Sequence, residues 1–156
     1  MSTRSSGNIF LSCLVLFALS FVSKQSRAQH RAGDLLQSRS WAIIGTLDFK
    51  LGSGNEIYPV FSDALKKQAN HDFELQGHLI PIRDGMKQTR FLLSTLPINQ
   101  CFYCGKNGVP IMILVEMAEG LEFTYKPIRV RGKLKLKRVN IRDYPPIILS
   151  EAVLLK

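Results

Sequence analysis

The sequence is poor in the residues and motifs on which most enzymes depend. It has three cysteines and one tryptophan among 156 residues, and only 12 acidic side chains against 21 basic ones. It contains no Gly-x-Ser-x-Gly elbow, no glycine-rich phosphate loop and no His-Glu-x-x-His pair. It also lacks an apolar run of the about 20 residues that a membrane-spanning helix needs. These absences favour a binding or accessory protein over an enzyme.

The N-terminus has the three-part layout of a secretory signal peptide. Arg4 precedes an apolar run, Ile9 to Val22, and Ser26-Arg27-Ala28 then offers small residues at the −3 and −1 positions of a cleavage site. We therefore predict that residues 1–28 are a signal peptide and that no transmembrane span remains after cleavage. Cys13 lies inside the apolar run and would leave with it. The expected location is the periplasm or cell envelope, with secretion as a further possibility.

The exported chain would be moderately basic. Cleavage removes Arg4, Lys24 and Arg27 and no acid, which lowers the formal net charge from +9 to +6. Such a surface favours anionic partners, either an envelope surface of lipid headgroups or acidic glycans, or an acidic partner protein. Nucleic acid is not expected as a partner in that compartment.

The N-terminal part of the exported chain predicts a flexible segment, a strand pair and a short helix. Residues 29–40 are polar and predicted to be flexible. Residues 41–51 and 57–61 are rich in apolar and β-branched side chains, and Gly52-Ser53-Gly54-Asn55 separates them with turn residues. Ser62 is a suitable N-cap for a helix over 63–68, which begins with Asp63 and ends with lysines.

The rest of the chain predicts five principal strands. They are residues 73–82, 89–94, 109–117, 128–138 and 147–155. Short strands separated by turn residues are typical of sandwiches and barrels. We predict a mostly β fold with a short helix, in which residues 41–156 form one domain. Its centre would be a small closed, OB-like barrel, preceded by the N-terminal strand pair.

One Cys-x-x-Cys pair, Cys101 and Cys104, lies in the long connection before the third of these strands. Three interpretations stay open: a structural disulfide, a redox pair, or two thiolate ligands of a soft metal ion. The turn residues that follow disfavour a thioredoxin fold, whose dithiol opens a helix. A zinc site needs four ligands, and the nearest candidate for a further one, His78, lies on the polar face of its strand, where a solvated histidine is the simpler interpretation. The residues expected to cover the thiols are Phe102, Tyr103, Gly105 and Lys106.

Several segments resemble a family of small exported bacterial proteins of unknown function. Such proteins follow a "G-Y-I-P-L" strand with an "F-x-L-S" strand, a "C-F-F-C-G" loop and a "V-x-G-x-L" strand. The corresponding segments here are Gly77 to Ile82, Phe91 to Ser94, Cys101 to Gly105 and Val130 to Leu134. His78 replaces the aromatic residue of the first motif. The resemblance implies export, one small β domain, and Cys101 and Cys104 as its most distinctive positions.

The fourth predicted barrel strand carries a row of cations. Period-two alternation places them on one face and the apolar residues on the other. The cations are Arg129, Arg131, Lys133, Lys135 and Lys137. This face is either a solvated outer surface or a docking face for an anionic partner. Taken together, the sequence predicts an exported envelope binding or accessory module with a functional cysteine loop. The alternative is a periplasmic thiol–disulfide or metal-handling protein acting through Cys101 and Cys104.

Overall fold

The computed structural model describes residues 36–98 and 111–155, which form two short helices and seven strands. The helices are α1 (Arg39–Ile44) and α2 (Asp63–Gln68), with a 3₁₀ turn at Ser53–Asn55. The strands are β1 (Asp48–Leu51), β2 (Ile57–Val60), β3 (Asp72–Pro81), β4 (Lys87–Ser94), β5 (Met112–Glu122), β6 (Ile128–Leu136) and β7 (Ile147–Leu155). In this part of the chain, no helix is long and apolar enough to cross a membrane.

Strands β3 to β7 close into a five-stranded barrel in the order β3-β4-β5-β7-β6. Strand β3 pairs with both β4 and β6, and every pairing is antiparallel except that of β5 with β7. Strands β1 and β2 form a separate antiparallel pair. The predicted fold class, a mostly β protein with an OB-like barrel and an N-terminal strand pair, is confirmed.

The barrel interior is filled by alternate residues of each strand. In β3 these are Phe73, Leu75, Gly77 and Leu79, which are buried while Glu74, Gln76 and His78 between them are half-buried or exposed. Side chains from outside the barrel complete the same buried cluster, namely Trp41 and Ile44 of α1 and Leu65 of α2. The two helices therefore share one hydrophobic core with the barrel.

Helix α2 has the bounds and the N-cap that the sequence predicts. The Ser62 Oγ accepts a hydrogen bond from the Leu65 backbone N–H at 3.2 Å, which satisfies one of the free donors of the first turn. Asp63 lies in the first turn and Lys66 and Lys67 in the last, as the helix dipole favours.

The predicted strand over residues 41–51 is wrong in its first half. Residues Arg39–Ile44 form helix α1, which is capped by the Ser38 side chain, and β1 is confined to Asp48–Leu51. Trp41 and Ile44 are three positions apart, so a helix buries both on one face, whereas a strand would place them on opposite faces. The helix also begins two residues inside the segment 29–40 that was predicted to be flexible.

Strands β4 and β5 are longer than predicted, and they pair with each other beyond the part of β4 that pairs with β3. The additional pairs include Lys87 with Glu122 and Gln88 with Leu121, and a bulge separates them from the pair of Arg90 with Glu116. The strand predicted to end at residue 117 therefore continues to Glu122. Strand β6, in contrast, ends at Leu136, two residues earlier than predicted.

Candidate functional site: the outer face of β4 and β5

The predicted cysteine site lies outside the described residues. This applies to both thiols and to the residues expected to cover them: Cys101, Cys104, Phe102, Tyr103, Gly105 and Lys106. The described strands on either side give its place in the topology. Strand β4 ends at Ser94 and β5 begins at Met112, and these two residues are directly paired. The cysteines thus belong to the connection between two neighbouring antiparallel strands.

His78 lies at the same end of the barrel as that connection. It faces outward from β3, is half-buried, and pairs across the strands with Ser94, the last residue of β4. The expectation of a fully solvated histidine is therefore only partly met. Within residues 36–98 and 111–155, no three His, Cys, Asp or Glu side chains come together in a way that could hold a metal ion.

The predicted cationic face is present on β6, but it is one residue shorter than expected. Arg129, Arg131, Lys133 and Lys135 alternate with buried or half-buried residues along the strand. Lys137 follows the end of β6, where its backbone N–H donates to the Pro146 carbonyl at 2.8 Å. Lys137 therefore belongs to the loop between β6 and β7, residues 137–146.

Most of the β6 cations are paired with polar side chains near or on β3. Arg129 forms an ion pair with Glu74. The Lys133 Nζ lies 3.4 Å from Asp72 Oδ1, and the Lys135 Nζ donates to Asn70 Oδ1 at 2.9 Å. Arg131 is the β6 cation that makes neither an ion pair nor a side-chain hydrogen bond in the described part of the chain. Since exposed pairs add little stability, this arrangement mainly lowers the net charge of the face.

The barrel topology indicates a different binding face, which is the outer surface of β4 and β5. Counted within the barrel, β4 and β5 are strands two and three, and the loops β3–β4 and β6–β7 flank their outer surface. In OB folds this surface and these two loops bind oligonucleotides and oligosaccharides.

Four side chains meet on this outer face, and we call them the Tyr144 group: Arg90, Glu116, Lys137 and Tyr144. Arg90 of β4 and Glu116 of β5 are a directly paired couple, with the Arg90 Nε 3.2 Å from Glu116 Oε1. The Tyr144 hydroxyl accepts a hydrogen bond from Arg90 Nη2 at 2.7 Å and donates to Glu116 Oε1 at 3.2 Å. The Lys137 Nζ lies 4.5 Å from the centre of the Tyr144 ring, within cation–π range.

The loop that carries Tyr144 and Lys137 is held in place from both sides. The Ile141 N–H donates to the Ile57 carbonyl of β2 at 3.0 Å, and the Ile57 N–H donates to Asn140 Oδ1 at 3.3 Å. The β1–β2 pair thus supports the loop on one side, while Arg90 and Glu116 anchor it to the barrel on the other. Beside it, the Glu56 carboxylate accepts a hydrogen bond from the Tyr58 hydroxyl and raises the pKa of that phenol above its ordinary value.

The Tyr144 group combines two cations, one carboxylate, one hydroxyl and one aromatic ring. The side chains of Arg90 and Glu116 are 32% and 36% exposed, so solvent reaches both, and Lys137 is exposed. A guanidinium and an ammonium attract an anionic group, while the hydroxyl and the carboxylate can exchange hydrogen bonds with sugar hydroxyls. The arrangement is suited to recognition of a polar, negatively charged molecule.

Sequence reasoning found only one member of this group, Lys137, and assigned it to the wrong element. Arg90, Glu116 and Tyr144 come from three separate segments and form no motif. The one local signal is an aromatic residue before Pro145-Pro146 in a loop otherwise rich in charge.

Comparison with known family models, with curated protein sequences and with solved structures finds no match to this chain. The family resemblance described from the sequence therefore stays a prediction. The geometry of the described residues carries the functional argument.

Proposed function

We propose that this protein is an exported binding module of the cell envelope that holds an acidic oligosaccharide against the outer face of β4 and β5. The N-terminal sequence layout supports export, and the OB-like barrel supports a binding role by analogy of fold alone. The Tyr144 group is the observation that carries the proposal, because it places two cations and an anchored aromatic ring on that face.

The chemistry of the group favours binding over catalysis. Arg90 and Lys137 supply positive charge for a sugar carboxylate or sulfate, and Arg90 is fixed in position by Glu116 and Tyr144. A preorganised site loses less conformational freedom when it binds a ligand. Glycoside hydrolysis uses a pair of carboxylates flanking the scissile bond, and the group contains one, Glu116, which is engaged by Arg90.

The test is calorimetric titration with an oligogalacturonate, compared with a neutral galactose oligosaccharide of the same length. We expect the acidic ligand to bind and the neutral one to bind far more weakly. Arg90→Gln and Lys137→Gln should each weaken binding roughly tenfold or more, since hydrogen bonds to charged groups are worth about 1.5–3 kcal/mol. Tyr144→Phe, which keeps the ring but frees Arg90 and Glu116, should weaken it less.

Arg131→Gln is the matched control, because it removes one cation that makes no ion pair from the outer face of β6. We expect it to leave the affinity unchanged. An equal loss in Arg131→Gln would instead assign the anionic partner to the β6 face. Equal binding of the neutral oligosaccharide, or no binding of either, would reject the proposal.

The second candidate is a periplasmic thiol–disulfide or metal-handling protein that acts through Cys101 and Cys104. The half-buried His78 at the end of the barrel where their connection begins supports it. The intact mass of the exported protein decides between the alternatives. A mass short by two hydrogens under native and denaturing conditions indicates a disulfide, whereas extra mass under native conditions alone indicates a bound metal or cofactor.

A further inference from the structure

One end of the barrel exposes apolar side chains at its loop tips. At this end β3 passes into β4, β5 passes into β6, and β7 reaches its last residues. Met86 in the β3–β4 turn is 79% exposed, and Tyr125 in the β5–β6 connection is 74% exposed. Three further exposed apolar side chains belong to strand ends at this end of the barrel: Ile82 directly after β3, and Val153 and Leu154 near the end of β7. We call these five residues the apolar end.

The two tips are held firmly despite their exposure. The Phe123 N–H donates to the Met86 carbonyl at 3.1 Å, which ties the two connections together. The Phe123 and Tyr125 rings pack edge to face with centres 4.8 Å apart. Tyr125 and Met86 therefore lie in connections that are held in place by contacts within the protein.

The β3–β4 turn is also stabilised by hydrogen bonds from a buried side chain, Gln88. The Gln88 side chain is 2% exposed, and its Nε2 donates to the carbonyls of Arg83 at 3.1 Å and Gly85 at 2.6 Å. Gly85 has a φ of 116°, which L side chains rarely adopt, and the next residue in the turn, Met86, is exposed. A buried amide is thus used to fix a turn whose apolar residue faces water. Exposed apolar patches of this kind mark interaction surfaces.

The charges around the tips indicate what they contact. Residues 82–87 and 122–127 carry three cations, Arg83, Lys87 and Lys126, against two acids, Asp84 and Glu122, of which Glu122 lies opposite Lys87. The other exposed apolar group, Phe49, Leu51 and Val60 on the β1–β2 pair, has the acids Asp48 and Glu56 beside it and one lysine, Lys50. An anionic surface would attract the first group and not the second.

We propose that the apolar end docks on an anionic lipid surface, with Met86 and Tyr125 entering the boundary between headgroups and acyl chains. Tyrosine suits this layer because its ring is apolar and its hydroxyl remains hydrated. Apolar contact and attraction of cations to anionic lipids act together in such binding. This inference goes beyond the proposed function, since it uses the tips of the β3–β4 and β5–β6 connections and a different ligand, and does not require the Tyr144 group.

The test is co-sedimentation of the exported protein with phosphatidylcholine vesicles, with and without one third phosphatidylglycerol. Intact mass first confirms that residues 1–28 have been removed. We expect binding to the anionic vesicles that falls with added salt. Met86→Ser and Tyr125→Ser should each lower the partition coefficient roughly tenfold, the effect of withdrawing one large apolar side chain from the interface. The substituted side chains are exposed in this test and in its control: Met86, Tyr125, Leu51 and Arg83. The variants should therefore fold, which thermal unfolding confirms.

Leu51→Ser is the matched control, because Leu51 is 76% exposed but lies on the β1–β2 pair. It should bind like the unmodified protein, whereas Arg83→Gln should weaken binding only to the anionic vesicles. Insertion is tested with Met86→Trp, whose emission should be quenched by brominated lipid while the buried Trp41 is shielded. Failure of the protein to bind anionic vesicles, or an equal loss in Leu51→Ser, overturns the proposal. Self-association that Met86→Ser abolishes, without vesicle binding, would assign the apolar end to a second copy of the chain.

Discussion

At the scale of single residues, two strand glycines show how closely the barrel strands approach one another. A Cβ on Gly132 would lie 2.6 Å from the Ser150 carbonyl oxygen and 3.0 Å from the Ala152 Cα, both backbone atoms of β7. A Cβ on Gly77 would lie 2.9 Å from the Ser94 carbonyl oxygen. Glycine inside a strand predicts a close backbone approach. Which strand approaches could not be predicted, because it depends on pairings between distant segments.

Gly132→Ala should therefore destabilise the protein. The added methyl group would meet backbone atoms that cannot move independently, and overpacking of this kind costs about 1–3 kcal/mol. We expect a lower urea midpoint in far-UV circular dichroism. Gly120→Ala is the control, because a Cβ there would lie no closer than 3.2 Å to another heavy atom, the Lys87 Cβ, against 2.6 Å at Gly132. Equal midpoints for the two variants would contradict this interpretation of the barrel packing.

At the scale of elements, local signals predicted some bounds correctly and failed elsewhere for a physical reason. Helix α2, with its Ser62 cap, and β7 follow from the sequence alone. Helix α1 did not, because a short apolar run does not distinguish a helix from a strand. The informative signal was a serine cap, Ser38, followed by Trp41 and Ile44 at helical spacing.

Functional groupings across elements were less predictable than the elements themselves. Alternation along β6 predicted which cations face outward, but not that Asp72 and Glu74 of β3 would pair with two of them. Such pairs depend on the register between strands about 60 residues apart in the chain. The Tyr144 group was harder still to predict, because its position depends on a loop that is anchored to two strands and supported by a third.

At the scale of the whole molecule, the helices, the strand pair and the barrel depend on one another. Helix α1 has six residues, too few to be stable alone in water. It is held by the burial of Trp41 and Ile44 in the barrel core and by the Trp41 indole N–H, which donates to the Gln76 carbonyl at 2.7 Å. The β1–β2 pair is linked to the barrel through the β6–β7 loop, where Ile57 bonds to Asn140 and Ile141.

This shared core predicts a single unfolding transition. Trp41 is the one tryptophan of the chain, so its fluorescence reports the docking of α1, while far-UV circular dichroism reports the strands. The two signals should have the same urea midpoint, as in two-state domains of this size. Trp41→Phe should lower the circular dichroism midpoint as well, because the Gln76 carbonyl loses its donor at a cost of about 1–3 kcal/mol. If α1 instead detached independently, tryptophan fluorescence would change at lower urea, and Trp41→Phe would leave the strand signal unmoved. A common urea midpoint that is lowered in Trp41→Phe would mean that helix α1 unfolds together with the barrel.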